Sequence, residues 1–179
     1  MIFGVMSKGF YIDKITKCIE EVATGIPHFT EVLPATKLDL KDVNKKSGWD
    51  FPWKSFLKNP ERSLYKLVIT GDQGGVLQGL ISLQIMEVEK YIELHHIENA
   101  AHNFGKHKVY AGVAGNMVAF ACKLSFEKGF EGFVAFKAKS ALIEHYSLTL
   151  NAVLINSKQN RMAIFPMAAK NLVNSYYKN

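Results

Sequence analysis

Between Tyr91 and Lys137 the character of the chain changes twice, and this stretch restricts the fold more than any other. Tyr91 to Ile97 reads as a strand. From Asn116 to Lys128 the apolar period is helical: Met117, Phe120, Ala121 and Leu124 fall at i, i+3, i+4 and i+7 and form one stripe. Gly129 stands where the residue just past a helix end belongs. Phe130 to Lys137 is strand-like again. The joint ahead of the helix is Gly112-Val113-Ala114-Gly115, a turn of small residues. Strand, glycine turn, helix and strand in this order belong to an α/β domain.

The flanking segments extend that frame. Ser63 to Thr70 and Val76 to Met86 read as two strands joined by the turn Gly71-Asp72-Gln73-Gly74-Gly75, an antiparallel hairpin. Tyr91 to Ile97 pairs with its second strand. Ile12 to Leu33 is strand material broken at Gly25-Ile26-Pro27. Trp49-Asp50-Phe51-Pro52-Trp53 leads into a short helix that Pro60 closes. After a polar loop, Asn99 to Lys108, and the central helix, Ser140 is placed to cap a helix through Ser147. Ala152 to Ile155 and Met162 to Phe165 are short strands, and Pro166 opens a last helix to about Tyr177. The expected fold is a single α/β domain over 1–179 with a mixed sheet.

Composition excludes several classes. A length of 179 residues fits one domain. With 48% apolar and 21% charged residues, the chain is neither disordered nor fibrous. No apolar run approaches the roughly 18 residues that cross a bilayer. The opening Met1-Ile2-Phe3-Gly4-Val5-Met6 reaches its first Lys at position 8 and shows no basic region followed by a long apolar stretch, so a signal peptide is not expected and the cytoplasm is. Cys18 and Cys122 lie far apart and match no zinc or redox spacing, which reads as two reduced thiols. Six histidines without Cys partners or a helical His pair give no metal signature. Lys and Arg exceed Asp and Glu by 22 − 16 = +6, which favours a polyanionic partner: nucleic acid, a membrane surface or a phosphate-rich cofactor.

The Gly112 turn is where chemistry is expected. Small residues let backbone N–H groups approach a ligand, and the helix that follows points its free N–H groups and positive dipole end into the same turn. That combination binds phosphate. It is neither a Walker loop nor a complete Gly-x-Gly-x-x-Gly. Gly112-Val113-Ala114-Gly115-Asn116-Met117-Val118 resembles the acyl-CoA-binding turn of the GNAT N-acetyltransferase superfamily, Arg/Gln-x-x-Gly-x-Gly/Ala with an apolar residue three positions on. Gly112 and Ala114 match its small positions and Met117 its apolar one; Val109 departs from its Arg/Gln position, with Lys108 adjacent. The run Leu142 to Ala152, with Tyr146, is similar to the superfamily's second cofactor-side helix. The resemblance covers residues 63–165 as an acetyl-CoA-binding core, with 1–62 as the variable, substrate-side part. It implies a mixed, mostly antiparallel twisted sheet flanked by helices.

It also implies an acetyl transfer from acetyl-CoA to a primary amine by direct attack. The pyrophosphate would lie on Ala111, Gly112, Val113, Ala114, Gly115 and Asn116, and the pantetheine arm along Tyr91–Glu98, Ile97 included. The amine must lose a proton to a base, and Glu98, Glu93, His95 and His96 are the candidates. An odd separation puts Glu93 and Glu98 on opposite faces of a regular strand, and likewise His95 and His96. Glu98, at the strand end, is favoured. Tyr146 is the phenol placed to protonate the leaving thiolate, and Asn103 is a minor candidate for orienting a ligand. No metal is called for. A membrane partner is not expected, nucleic acid is disfavoured, and a homodimer is allowed. Two other functions remain open: a non-catalytic acyl-CoA sensor or scaffold, and a basic nucleic-acid module stacking bases on Trp49, Phe51 and Trp53.

Overall fold

The runs separated by glycine-rich turns become a sheet, and the one long helical period packs across it. The computed structural model describes residues 9–177; the opening Met1–Met6, read above as no signal peptide, lies outside them. In chain order the elements are β1 (Ile19–Glu21), β2 (Pro27–His28), β3 (Thr30–Pro34), α1 (Trp53–Leu57), β4 (Ser63–Ile69), β5 (Gly79–Met86), β6 (Tyr91–Asn99), β7 (Tyr110–Ala111), α2 (Val113–Glu127), β8 (Val134–Lys137), α3 (Ile143–Leu150), β9 (Val153–Asn156), β10 (Arg161–Ile164) and α4 (Pro166–Tyr177). Seven strands form the main sheet in the order β3-β4-β5-β6-β8-β10-β9, and β2-β1-β7 form a small second one. Every pairing in the main sheet is antiparallel except that of β6 with β8. The mixed, mostly antiparallel sheet expected above is what forms.

Each face of the sheet has its own core. Leu67, Ile81, Leu83, Ile92, Leu94, Val134 and Phe136 pack under α2, α3 and α4. Leu64 and Leu80, on the opposite face, pack with Trp49, Trp53, Leu40 and Val43 from the segment between β3 and β4. α2 is more deeply buried than a one-stripe helix: 11 of its 15 residues are buried, because α4 packs on the side away from the sheet. Cys122 is fully buried in that layer.

Three expected elements differ in the structure. Phe130 to Phe133 is not strand, because Glu131 (φ 58°) and Gly132 (φ 86°) both take left-handed backbone. Ser140 does not cap a helix; residues 140–142 form a 3-10 turn, and α3 starts after it with Leu142 at its cap and no side-chain capping bond. The strand expected from Val76 begins at Gly79.

One irregularity positions the site. The β5·β6 register runs Ser82↔His96 and then Leu83↔Leu94, so His95 is an extra residue, a bulge. The bulge resets the alternation. Glu93, His96 and Glu98 pair with Gln84, Ser82 and Leu80, which share one face of β5. The odd-separation argument therefore fails: Glu93 and Glu98 lie on the same face, and His95 reaches toward it as well, with Nε2 2.9 Å from Gln84 Oε1.

Candidate functional site

β6 and β8 are paired only from Ile92↔Val134 to Leu94↔Phe136. Beyond Leu94 the two parallel strands part, leaving a wedge along His95–Asn99. β8 ends at Lys137 and the chain passes into the turn before α3, so α3 flanks one side of the wedge. α2 begins close by. Its cap, Gly112, has φ 86°, a conformation glycine adopts without steric penalty. The Gly112 N–H points outward from the helix start and donates to Asp13 Oδ1 at 3.0 Å.

The wedge and the turn are both filled by the segment 9–18 of the same chain. Lys108 Nζ donates to Asp13 Oδ2 at 2.7 Å. Ile12, buried, donates its N–H to His145 Nε2 at 2.9 Å. Tyr11 stacks on His145 with centroids 4.1 Å apart. The Phe10 ring stacks on Tyr146 at 4.6 Å and meets Phe136 edge-on at 5.6 Å. Tyr146 donates its hydroxyl proton to the Phe10 carbonyl, and Tyr176 donates to that of Lys14 at 3.2 Å. Two cavities flank this segment. One of about 410 Å³ is lined by Tyr11, Asp13, Ile97, Glu98 and Lys108. The other, about 290 Å³, is lined by Phe10, His95, His96, Lys139 and Tyr146.

The structure brings most of the expected site residues together. Gly112, Val113, Ala114, Gly115 and Asn116 open α2 as expected, but the turn is covered. A Cβ on Gly112 would lie 2.9 Å from Thr16 Oγ1, and one on Gly115 would overlap the Tyr176 hydroxyl. Their smallness makes room for Thr16 of this chain's own segment and for the Tyr176 hydroxyl of α4. Ala111 is committed to β7, opposite Glu20 of β1. Ile97 lies on the α2 face and lines both cavities.

Tyr146 is where the helix argument put it, at the wedge, with its hydroxyl engaged by Phe10. Burial raises its pKa, so the phenol stays protonated across the neutral range. Glu98 has a structural role. Its Oε1 accepts from Phe51 N–H at 3.2 Å and Trp53 Nε1–H at 2.7 Å, and its Oε2 from Asp50 N–H at 2.7 Å. It ties the 50–53 loop to the end of β6. Asn103 is structural: buried, it donates to Gln78 O and Oε1 and accepts from Tyr110 N–H. Trp49 and Trp53, the base-stacking candidates, are 5% and 1% exposed and belong to the core.

The other residues on the Glu98 face form a polar wall. Arg161 holds Glu93 by two parallel bonds of 2.7 and 2.6 Å that reach across β8. Arg62 Nη1 donates to Ser82 at 3.2 Å and its guanidinium lies over Phe56. Burial, helped by Arg62 and Arg161, pushes His95 down to about 4. Burial, Arg62 and His95 push His96, stacked on Phe56, down to about 4 as well. Both rings are neutral at pH 7. Among the described residues no group of three or more His, Cys, Asp or Glu is placed to hold a metal, and no helix is long and apolar enough to cross a membrane.

Sequence reasoning missed the segment 9–18, Arg62 and Arg161. The arginines carry no motif. The segment's one local sign is Phe10-Tyr11-Ile12, an apolar run that forms no strand.

No protein-family profile matches the chain, and no curated protein matches it in sequence. Solved structures do. The spermidine/spermine N-acetyltransferase SpeG from Vibrio cholerae is similar at 13% identity and a TM-score of 0.57, over 80% of this chain and 96% of that one. AtaTR bound with AcCoA is similar at 13% identity and 0.55, over 80% and 98%. The KacTA–DNA complex is similar at 16% identity and 0.56, over 80% and 97%.

Proposed function

The chain has the fold of the GNAT acetyltransferases, and from that premise we propose that it is an acetyl-CoA-dependent N-acetyltransferase. The observation that carries the reading is the parting of β6 and β8 beside a glycine-capped helix start that already holds an anion, the Asp13 carboxylate. A pyrophosphate asks for the same donors, so the turn fits the cosubstrate's chemistry. The Gly112 N–H, the first N–H groups of α2 and Lys108 would hold it. Acetyl-CoA, when bound, supplies the acetyl group as an activated thioester.

The remaining chemistry belongs to this chain. Tyr146, kept protonated by burial, is the proton donor at the wedge. Glu98 lines the larger cavity; a carboxylate has about four acceptor positions, and three are used. The remaining one, on Oε2, is its route to act as base through water. The smaller cavity carries Lys137 and Lys139 and the larger Lys108, while Glu93, on the same face of β6 as Glu98, is neutralised by Arg161. That disfavours a polycation such as the spermidine that SpeG's name specifies, and favours an amine on a neutral or anionic carrier.

The test is thiol release from acetyl-CoA, at up to about 1 mM, across small amines, aminoglycosides, peptide N-termini and protein lysines. Turnover that falls by about 10²-fold or more in Tyr146→Phe is expected. Absence of both turnover and CoA binding in folded protein would overturn the proposal. The engagement of Glu98 with the 50–53 loop favours a second reading, a non-catalytic acyl-CoA binder. CoA binding without turnover on any acceptor would select it.

A further inference from the structure

Resting on the acyl-CoA reading above, we infer that residues 9–13 are an internal ligand of the cleft, which acyl-CoA must displace, so that this segment sets the protein's affinity for CoA. Asp13 is the first ground. Its carboxylate takes a helix-start N–H and a lysine ammonium, from Gly112 and Lys108. These are the kinds of donor that favour a phosphate. One site cannot hold both anions.

The course of the segment is the second ground. It enters at the α2 turn and runs to α3, between the unpaired end of β6 and Tyr146. A pantetheine arm laid along β6 would need that volume. Phe10 covers the Tyr146 ring, and its carbonyl takes the hydroxyl that the chemistry requires. While the segment is in place the proton donor is engaged and the cleft is closed.

The third ground is how few groups hold the segment. Asp13 makes three bonds, of which one, from the Lys14 N–H, is to its own chain neighbour. Phe10 is held by one hydrogen bond and ring contacts, and Ile12 by one hydrogen bond and by its place in the main core, where it is 3% exposed. Tyr11 is 58% exposed, and its ring contact is the stack on His145. Cavities lie on both sides of the segment. Competition then multiplies the intrinsic CoA affinity by the fraction of molecules with the segment out.

The experiment is calorimetric titration with CoA of the full chain and of three variants, Asp13→Asn, Tyr11→Ala and Phe10→Ala, with ATP for comparison. Hydrogen exchange at the amides of Ile12 and Gly112 is followed in parallel. Asp13→Asn and Phe10→Ala are expected to bind CoA at least about 10-fold more tightly than the unaltered chain, and Tyr11→Ala a few-fold. A gain confined to Asp13→Asn would be charge removal alone and would overturn the inference. Tyr11 is exposed, so its variant stays informative if Phe10→Ala fails to fold. In the unaltered chain, saturating CoA should release the Ile12 amide to fast exchange while the Gly112 amide stays protected by its new acceptor. CoA bound with Ile12 still protected, or equal affinities throughout, would overturn the inference and leave the acetyltransferase reading standing. No CoA binding by folded variants whose Ile12 amide already exchanges fast would overturn both.

Discussion

Glu98→Gln separates a carboxylate that holds a loop from one that takes a proton. The loop 50–53 delivers three N–H groups to Glu98, which is 3% exposed. A glutamine has one acceptor oxygen. Placed at the Oε1 position it keeps Phe51 N–H and Trp53 Nε1–H, now as weaker bonds to a neutral group. Its NH2 then faces the Asp50 N–H, donor against donor, at a separation that was 2.7 Å. Hydrogen bonds to charged groups contribute about 1.5–3 kcal/mol and neutral ones about 0.5–1.5. One such bond lost and two weakened, less the relief of no longer burying a charge, comes to about 3 kcal/mol. For a chain of this length that lowers Tm by roughly 6–12 °C. The assay is thermal unfolding followed by tryptophan fluorescence, since Trp49 and Trp53 both pack beside this loop. A Tm within about 1 °C of the unaltered protein, with kcat down by about 10²-fold, would refute the reasoning and make Glu98 a base first and a tether second.

Other perturbations follow from the same geometry. His95 and His96 are both held near 4, below the ordinary 6.5, so between those values the unfolded chain takes protons that the folded rings refuse. Stability is therefore full above about pH 6.5 and falls as pH drops toward about 4; Tm against pH measures it, and the slope should flatten in His96→Gln. Arg161→Lys gives up the fork on Glu93 and keeps one bond, which should destabilise by about 1–3 kcal/mol and lower Tm in a denaturation scan. Gly112→Ala forces an L-residue to φ 86°, at about 1–2 kcal/mol, and brings a Cβ to 2.9 Å from Thr16 Oγ1. It should lower the urea midpoint and, by crowding the segment, speed exchange at Ile12.

What the sequence made legible was local. The hairpin around residues 71–75 and the helix after Gly112 are set by glycines and by a period that a few adjacent residues impose; both formed, the second strand starting at Gly79 rather than Val76 and the helix at Val113 rather than Asn116. The faces of β6 were not legible, because one inserted residue at His95 reverses the parity of everything beyond it and leaves no mark on composition. Phe130–Phe133 has strand-like residues, yet the left-handed backbone at Glu131 and Gly132 overrides their preference. The segment across the cleft was the hardest to foresee. Its bonds join residues 133 apart, Ile12 to His145, and 99 apart, Asp13 to Gly112. No pattern within a window reports contacts of that span.

The small residues at the start of α2 have two explanations, and the structure separates them along the segment. Gly115 lacks room for a Cβ because the Tyr176 hydroxyl sits against it, and that hydroxyl holds the Lys14 carbonyl. Gly112 is crowded by Thr16, whose own hydroxyl is tied to the Cys18 carbonyl, and Ile19 to Glu21 continue as β1. Residues 14–21 are thus fastened to α2, α4 and β7, and a ligand at the turn would not dislodge them. Residues 9–13 rest instead on Asp13, on two hydrogen bonds to α3, on ring contacts and on the one buried side chain of Ile12. An acyl-CoA competes only for that second set, so the displacement it must drive is a swing of about five residues about Lys14, and the fold beneath the segment need not open.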